Sequence, residues 1–208
     1  MPKKVIARQG DSIPSLAHSN GHFWETVWND GGNADLKQKR PSPNQLAPGD
    51  EVEIPDLRRK DESGATEQRH RFKRKGVPSI LRLQLKTLGD PRPNEKYTLE
   101  LDGEIIEGTT DGEGKLEQPI PPDCKGGRLL LNDGAEVIPV KIGHLDPVDI
   151  VSGTAKRLAN LGYDVGTVTN WNNPALKSAL EAFQRAQKLD VTGKADDATK
   201  AKLLELHP

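Results

Sequence analysis

FQRAQKLDVTGKADDATKAKLLEL, residues Phe183 to Leu206, carries the strongest fold signal in the chain. Its Leu189-Asp190-Val191-Thr192-Gly193 turn separates two segments with apolar residues at helical spacing, and Asp196 is placed to cap the second. Working outward, Leu176, Leu180 and Phe183 form one stripe, Val151, Ala155, Leu158 and Leu161 another, and Ala198, Ala201 and Leu204 a third. Asn173 before Pro174 reads as a helix start: the Asn side chain accepts an orphan amide, and proline sits where its missing donor costs nothing. Gly162 stops the first helix and Gly193 marks the turn before the third. None is long enough to stand alone in water, so the three stripes must meet in one small core.

Leu158, Leu161, Gly162 and Tyr163, then Leu180 with Phe183-Gln184, then Leu189 to Gly193, Thr199 and Leu203 resemble the small three-helix peptidoglycan-binding domain of bacteria. The resemblance implies a wall ligand. Where that family carries a second Asp-Gly turn before its middle helix, this chain has Val168-Thr169-Asn170-Trp171-Asn172-Asn173. Tyr163 and Trp171 flank this loop and offer ring faces on which sugars stack; for Trp171, binding and packing stand as equal alternatives. Gln184, Asp190 and Thr192 either hydrogen-bond glycan or stem peptide or only order the turn.

The chain has 208 residues, of which 33% are hydrophobic, 4% aromatic and 29% charged. That is lean for one large core and suits several small ones. A formal net charge of -1 argues against a general polyanion binder, so nucleic acid is not an expected partner. No apolar run is long enough for a membrane helix, and MPKKVIARQGDS has no hydrophobic segment after its lysines. Synthesis in the cytoplasm without a signal peptide is expected, with delivery to the envelope by a secretion machine or by lysis. Cys124 is the one cysteine, so no internal disulfide forms.

The first segment opens with a short strand at Val5-Ile6-Ala7. Ile13, Leu16 and Ala17 follow at helical spacing behind a Ser12 cap, then an amphipathic stretch from Phe23 to Asn29, a Gly31-Gly32-Asn33 break, and alternating Val52 and Ile54. Trp24 and Trp28, four apart, share one face, for which core packing is the ordinary role. Gly10-Asp11-Ser12, Leu16-Ala17, Trp28-Asn29 and Leu46 to Pro55 resemble the lysin motif, or LysM, with a longer, charged middle from Asp35 to Asn44. In that family N-acetylated glycan lies between the loop after the first strand and the loop before the last. The resemblance therefore implies Gly10, Asp11, Ser12, Asn44 and Gln45 as a glycan- or protein-binding set.

Residues 57–76 are charged, with little to bury, and read as a linker ending in the basic cluster Arg69 to Lys75, a solvated tether or a grip on an anionic surface. From Val77 the period changes to two: Leu81, Leu83 and Leu85, then Tyr97, Leu99 and Leu101, then Val140 and Ile142. Asp102-Gly103, Asp111-Gly112 and Asp133-Gly134 supply hairpin turns, and Pro119, Pro121 and Pro122 interrupt any central strand. A small antiparallel β-sandwich follows, which resembles the prealbumin-like or immunoglobulin-like spacers of bacterial surface and injection-system proteins.

The expected fold class is α+β multidomain: a βααβ LysM-like domain (1–56), the linker (57–76), a β-sandwich (77–146) and a three-helix bundle (147–208). No catalytic residue, metal or cofactor is expected. His18 and His22 read as surface histidines at a helix end, Cys124 lies in a loop without a nearby histidine, and no carboxylate pair has acid-base character. The functional expectation is a non-enzymatic peptidoglycan-binding adaptor, an accessory of a type VI secretion or phage-tail-like contractile apparatus that docks a spike, baseplate or effector protein. The alternatives are the targeting part of a wall-degrading enzyme or toxin, and a protein-docking module without sugar affinity.

Overall fold

The computed structural model describes residues 1–40, 42–58, 63–71, 79–87 and 89–207. The fold is α+β, with antiparallel strands and helices. Two compact units are present: Met1–Leu85 with Pro91–Ile142, and Lys86–Asp90 with Gly143–Pro208. No helix among the described residues is long and apolar enough to cross a membrane.

In the first unit, β1 (Lys3–Ile6) pairs antiparallel with β2 (Glu51–Ile54), and Val5 lies opposite Val52. Between them run α1 (Ile13–Ser19) and α2 (Trp24–Trp28). Ser12 caps α1 in a reciprocal box with Ser15, satisfying two amides that would otherwise be orphaned. Ile13, Leu16, Val27, Trp28, Val52 and Ile54 share one core, with Trp24 packed against it. The charged middle segment adds a helix the sequence reading lacked, α3 (Ala34–Lys39), which buries only Leu36 and so shows no stripe. The Gly-Gly-Asn break is a 3₁₀ turn rather than a loose connection. Its Asn33 amide donates to the Val27 and Glu53 carbonyls at 2.8 and 2.7 Å and accepts from the Glu53 amide at 2.8 Å.

The rest of that unit holds β3 (Ser79–Gln84), β4 (Lys86–Thr87), β5 (Asp90–Pro91), β6 (Lys96–Leu101), β7 (Glu104–Thr109), β8 (Lys115–Ile120), β9 (Gly126–Leu131) and β10 (Glu136–Lys141), although Lys86–Asp90 group with the second unit. The order β10-β9-β6-β7 makes a four-stranded antiparallel sheet, and β3-β8 a two-stranded one. Inward residues of both, among them Leu99, Leu101, Leu129, Leu131, Leu116 and Ile120, form one core. Asp102 and Gly103, with φ of 45° and 89°, make the two-residue turn that matches strand twist. Tyr97 lies directly opposite Gly108, where any Cβ would stand 2.4 Å from its hydroxyl, and that hydroxyl accepts from Gln118 of β8 at 2.7 Å. One glycine thus lets a ring cross the sheet and tie it to its neighbour. Pro119 sits inside β8 and Pro139 inside β10; both strands are edges, the place in a sheet where proline is tolerated.

The second unit is built on α4 (Val151–Asn160), α5 (Pro174–Ala186) and α6 (Asp197–Leu206). Asn173 caps α5 through the Leu176 amide, and Asp196 caps α6 through the Thr199 amide. Leu158, Leu176, Leu180, Phe183 and Leu203 are fully buried or nearly so, each contributing about 1.5–3 kcal/mol by leaving water. The expected stripe on α6 is corrected: Ala198 and Ala201 are exposed, and Thr199 with Leu203 faces inward. Alanine and leucine are spread all round that helix, so spacing alone does not choose a face.

Of the expected linker, residues 59–62 and 72–76 lie outside the described residues, and so does most of the basic cluster. Residues 63–71 are exposed throughout, with the His70 ring within 3.0 Å of the Ala65 carbonyl.

Candidate functional site

In the second unit the loop between α4 and α5 carries the candidate aromatics. Val165 and Val168 point into the core and anchor it. Asp164 accepts from the Gly166 amide at 3.0 Å, Asn170 accepts from the Asn172 amide at 2.9 Å, and Asn173 donates to the Thr167 carbonyl at 2.9 Å. Short polar side chains thereby hold a loop that has no ladder of its own. Trp171 stands out from it, 44% exposed.

Tyr163 is corrected in part. Its ring meets Phe183 edge to face, centroids 5.7 Å apart, and burial pushes its phenol above the ordinary range. Most of the ring belongs to the core, so Trp171 and Tyr163 are not an equal pair of platforms.

Gln184 is a correction. It is 0% exposed. Its amide nitrogen donates among the Thr192 hydroxyl, the Lys194 carbonyl and the Thr199 hydroxyl at 2.9–3.0 Å, and its oxygen accepts from the Thr192 and Gly193 amides at 3.0 and 2.9 Å. With every polar atom engaged it has nothing to offer a ligand. The Leu189–Gly193 turn is its product. Asp190 and Thr192 remain exposed, but the Thr192 hydroxyl donates to Asp196 at 2.8 Å and so belongs to the cap of α6.

Arg157 is the residue sequence reasoning missed here. It is 0% exposed, and its guanidinium donates to the carbonyls of Asp146, Gly153 and His207 at 2.7, 3.0 and 3.1 Å. Burial pulls its pKa down to about 10, against the pull of the nearby Asp146 charge. An arginine amid Ala155 and Leu158 gives no sequence signal for burial.

In the first unit the two loops expected to form a groove do meet: the Ile13 amide donates to the Pro43 carbonyl at 2.8 Å. The expected contact set is largely committed elsewhere. Ser12 caps α1, Gly10 and Gln45 are buried, and Asp11 accepts from the Arg8 amide at 2.9 Å. Lys125, from the loop before β9, donates to the Gly10 carbonyl at 3.0 Å and lies 3.4 Å from the Asp11 carboxylate. Asn44 alone of the five is exposed. Gly10 and Gln45 are therefore not open contact residues, and Ser12 is half-buried.

Beside β7 and β8 a small cavity is lined by Leu101, Asp102, Glu104, Ile106, Pro119, Ile120, Pro121 and Cys124. Burial and the Asp102 carboxylate, to which the thiol hydrogen-bonds, push Cys124 up to about 11, so it is a thiol and not a nucleophilic thiolate at neutral pH. Labelling of native protein with a disulfide reagent at pH 7.5 is expected to be at least tenfold slower than in denaturant; equal rates would contradict the packing. No group of three or more His, Cys, Asp or Glu among the described residues is placed to hold a metal, and His18 lies 3.7 Å from Asp123.

No curated protein and no solved structure matches the chain. Residues 154–203, from Thr154 in α4 to Leu203 in α6, match the family model described as a putative peptidoglycan binding domain, and the chain therefore carries a C-terminal domain of that type.

Proposed function

We propose that this chain is a non-enzymatic adaptor that holds peptidoglycan through the domain at 147–208 and presents its remaining domains to a protein partner. The observation that carries the reading is the family match at 154–203, on a three-helix unit whose α4–α5 loop keeps a tryptophan in solvent. The division proposed is a LysM-like domain (1–56), a linker, a sheet spacer (77–146) and the wall-binding domain, made in the cytoplasm and delivered to the envelope as part of a contractile or secretion apparatus.

The Lys125 contact favours a second role for the N-terminal domain. Lys125 of this same chain already occupies the Gly10 carbonyl and lies beside Asp11, so part of the lip that the resemblance implies for sugar is covered, and docking of a spike, baseplate or effector protein is the role proposed for this domain.

Co-sedimentation of the full chain with purified sacculi tests the main reading. Retention without any fall in sacculus turbidity is the expected result. Failure to sediment would remove the wall as partner, and clearing of the suspension would make the chain a hydrolase.

A further inference from the structure

Between Asp164 and Lys177 the chain carries no Asp, Glu, Lys or Arg, although charged residues make up 29% of the sequence. That neutral segment is the part of the α4–α5 loop after Asp164, together with the first turn of α5. Peptidoglycan offers two chemically different faces. Its stem peptides carry carboxylates and ammonium groups, which call for charged partners, whereas its glycan strand of N-acetylated pyranoses offers apolar C–H faces, hydroxyls and neutral amides.

Resting on the wall-binding reading, we infer that the Trp171 loop is a neutral platform for the glycan strand, with the indole stacked on a pyranose face and the Asn172 amide beside it to meet an N-acetyl or hydroxyl group.

Three observations converge on it. The indole is exposed while Trp28 is buried in the core of the first unit and Trp24 packs against it, so this ring is the one left to solvent. The loop is held from inside by Val165, Val168, Asn170 and Asn173, so little conformational entropy is lost when a ring settles on it. Among the described residues the Asn172 side chain has no partner and is exposed, whereas its neighbours Asn170 and Asn173 are used to build the loop. Stacking specifies the ring, and the free amide supplies both a donor and an acceptor.

The experiment follows the three indole N–H signals of the full chain by two-dimensional NMR, the Trp171 signal assigned by its loss in W171A. Peptide-free glycan strands released by an amidase, and separately a free stem peptide, are titrated in. The expected result is movement of the Trp171 signal with glycan strands and none with stem peptide. Trp171→Ala should weaken sacculus retention by about tenfold with an unchanged melting temperature, and Trp171→Tyr should restore most of it. Because the loop is neutral, retention should also persist at high salt. Movement with the stem peptide only, or W171A retained like wild type, overturns the assignment while leaving wall binding intact. Loss of wild-type retention itself would overturn the wall reading instead.

Discussion

Replacing Gln184 by leucine is expected to unfold the C-terminal helical unit rather than trim a binding surface. Leucine fills the volume, but it strands the buried Gly193 amide and removes the Gln184 donor from the buried Thr199 hydroxyl, while the Thr192 amide keeps the Asp190 carbonyl. A buried polar group left without its partner costs about 1–3 kcal/mol, a large share of what a small domain has. Asp190→Ala, in the same turn but exposed, should stay within about 0.5 kcal/mol. Hydrogen exchange followed by mass spectrometry over 174–206 separates the two. Protection there should collapse in Q184L and survive in D190A. Protection unchanged in Q184L, together with lost sacculus retention, would return Gln184 to the ligand.

The second large effect lies in the N-terminal half. The Arg40 and Asp50 side chains are each 3% exposed and meet in a two-pronged pair, Nε to Oδ2 at 2.7 Å and Nη2 to Oδ1 at 2.9 Å, while the Ala47 amide donates to Oδ2 at 2.8 Å. The pair pins the end of α3 to the turn before β2 and so fixes the loop that carries Asn44 and Gln45. Arg40→Ala leaves a buried carboxylate facing only the Ala47 amide and Lys39, and is expected to cost about 3–5 kcal/mol. Acid should act the same way. Burial pushes the Asp50 carboxyl up, but the hydrogen bonds from Arg40 and Ala47, the Arg40 charge and the Lys39 hydrogen bond outweigh it and hold the group below its ordinary range.

A carboxyl depressed in the folded chain stabilises fully above its unfolded value, about 3.9, and loses that contribution as pH falls through the folded one. Melting followed by indole fluorescence, which Trp24 and Trp28 report from this core, should therefore fall steeply below about pH 4 in wild type. Asp50→Asn should flatten that part of the profile from a lower starting stability. A wild-type profile as flat as the D50N one would show that the pair carries no linkage.

Much of this was legible locally. Ser12, Asn173 and Asp196 announce helix starts because a cap needs only its own next few residues, and Asp102-Gly103 announces a hairpin because few other pairs tolerate two positive φ angles. The stripes of α4 and α5 are regular enough to name Leu158, Leu176, Leu180 and Phe183 as core. By contrast α3 buries one residue and has no period to read. Pro119 reads as a breaker until the sheet order makes its strand an edge.

The candidate site divides along the same line. Trp171 was visible because a large apolar ring among asparagines has no local reason to be there. Gln184 looked like a ligand contact because a glutamine beside a turn reads the same whether it faces outward or inward.

Caps, tight turns and most of the helices and strands can be read from the chain alone, as can the helical domain whose family model matches, since each rests on residues a few positions apart. Which polar side chains are spent inside is set by the packed fold. Whether Arg157, Asn33, Gln184 and Asp50 are free or consumed depends on carbonyls, amides and charges that close packing brings to them, most from well outside their own helical turn or strand.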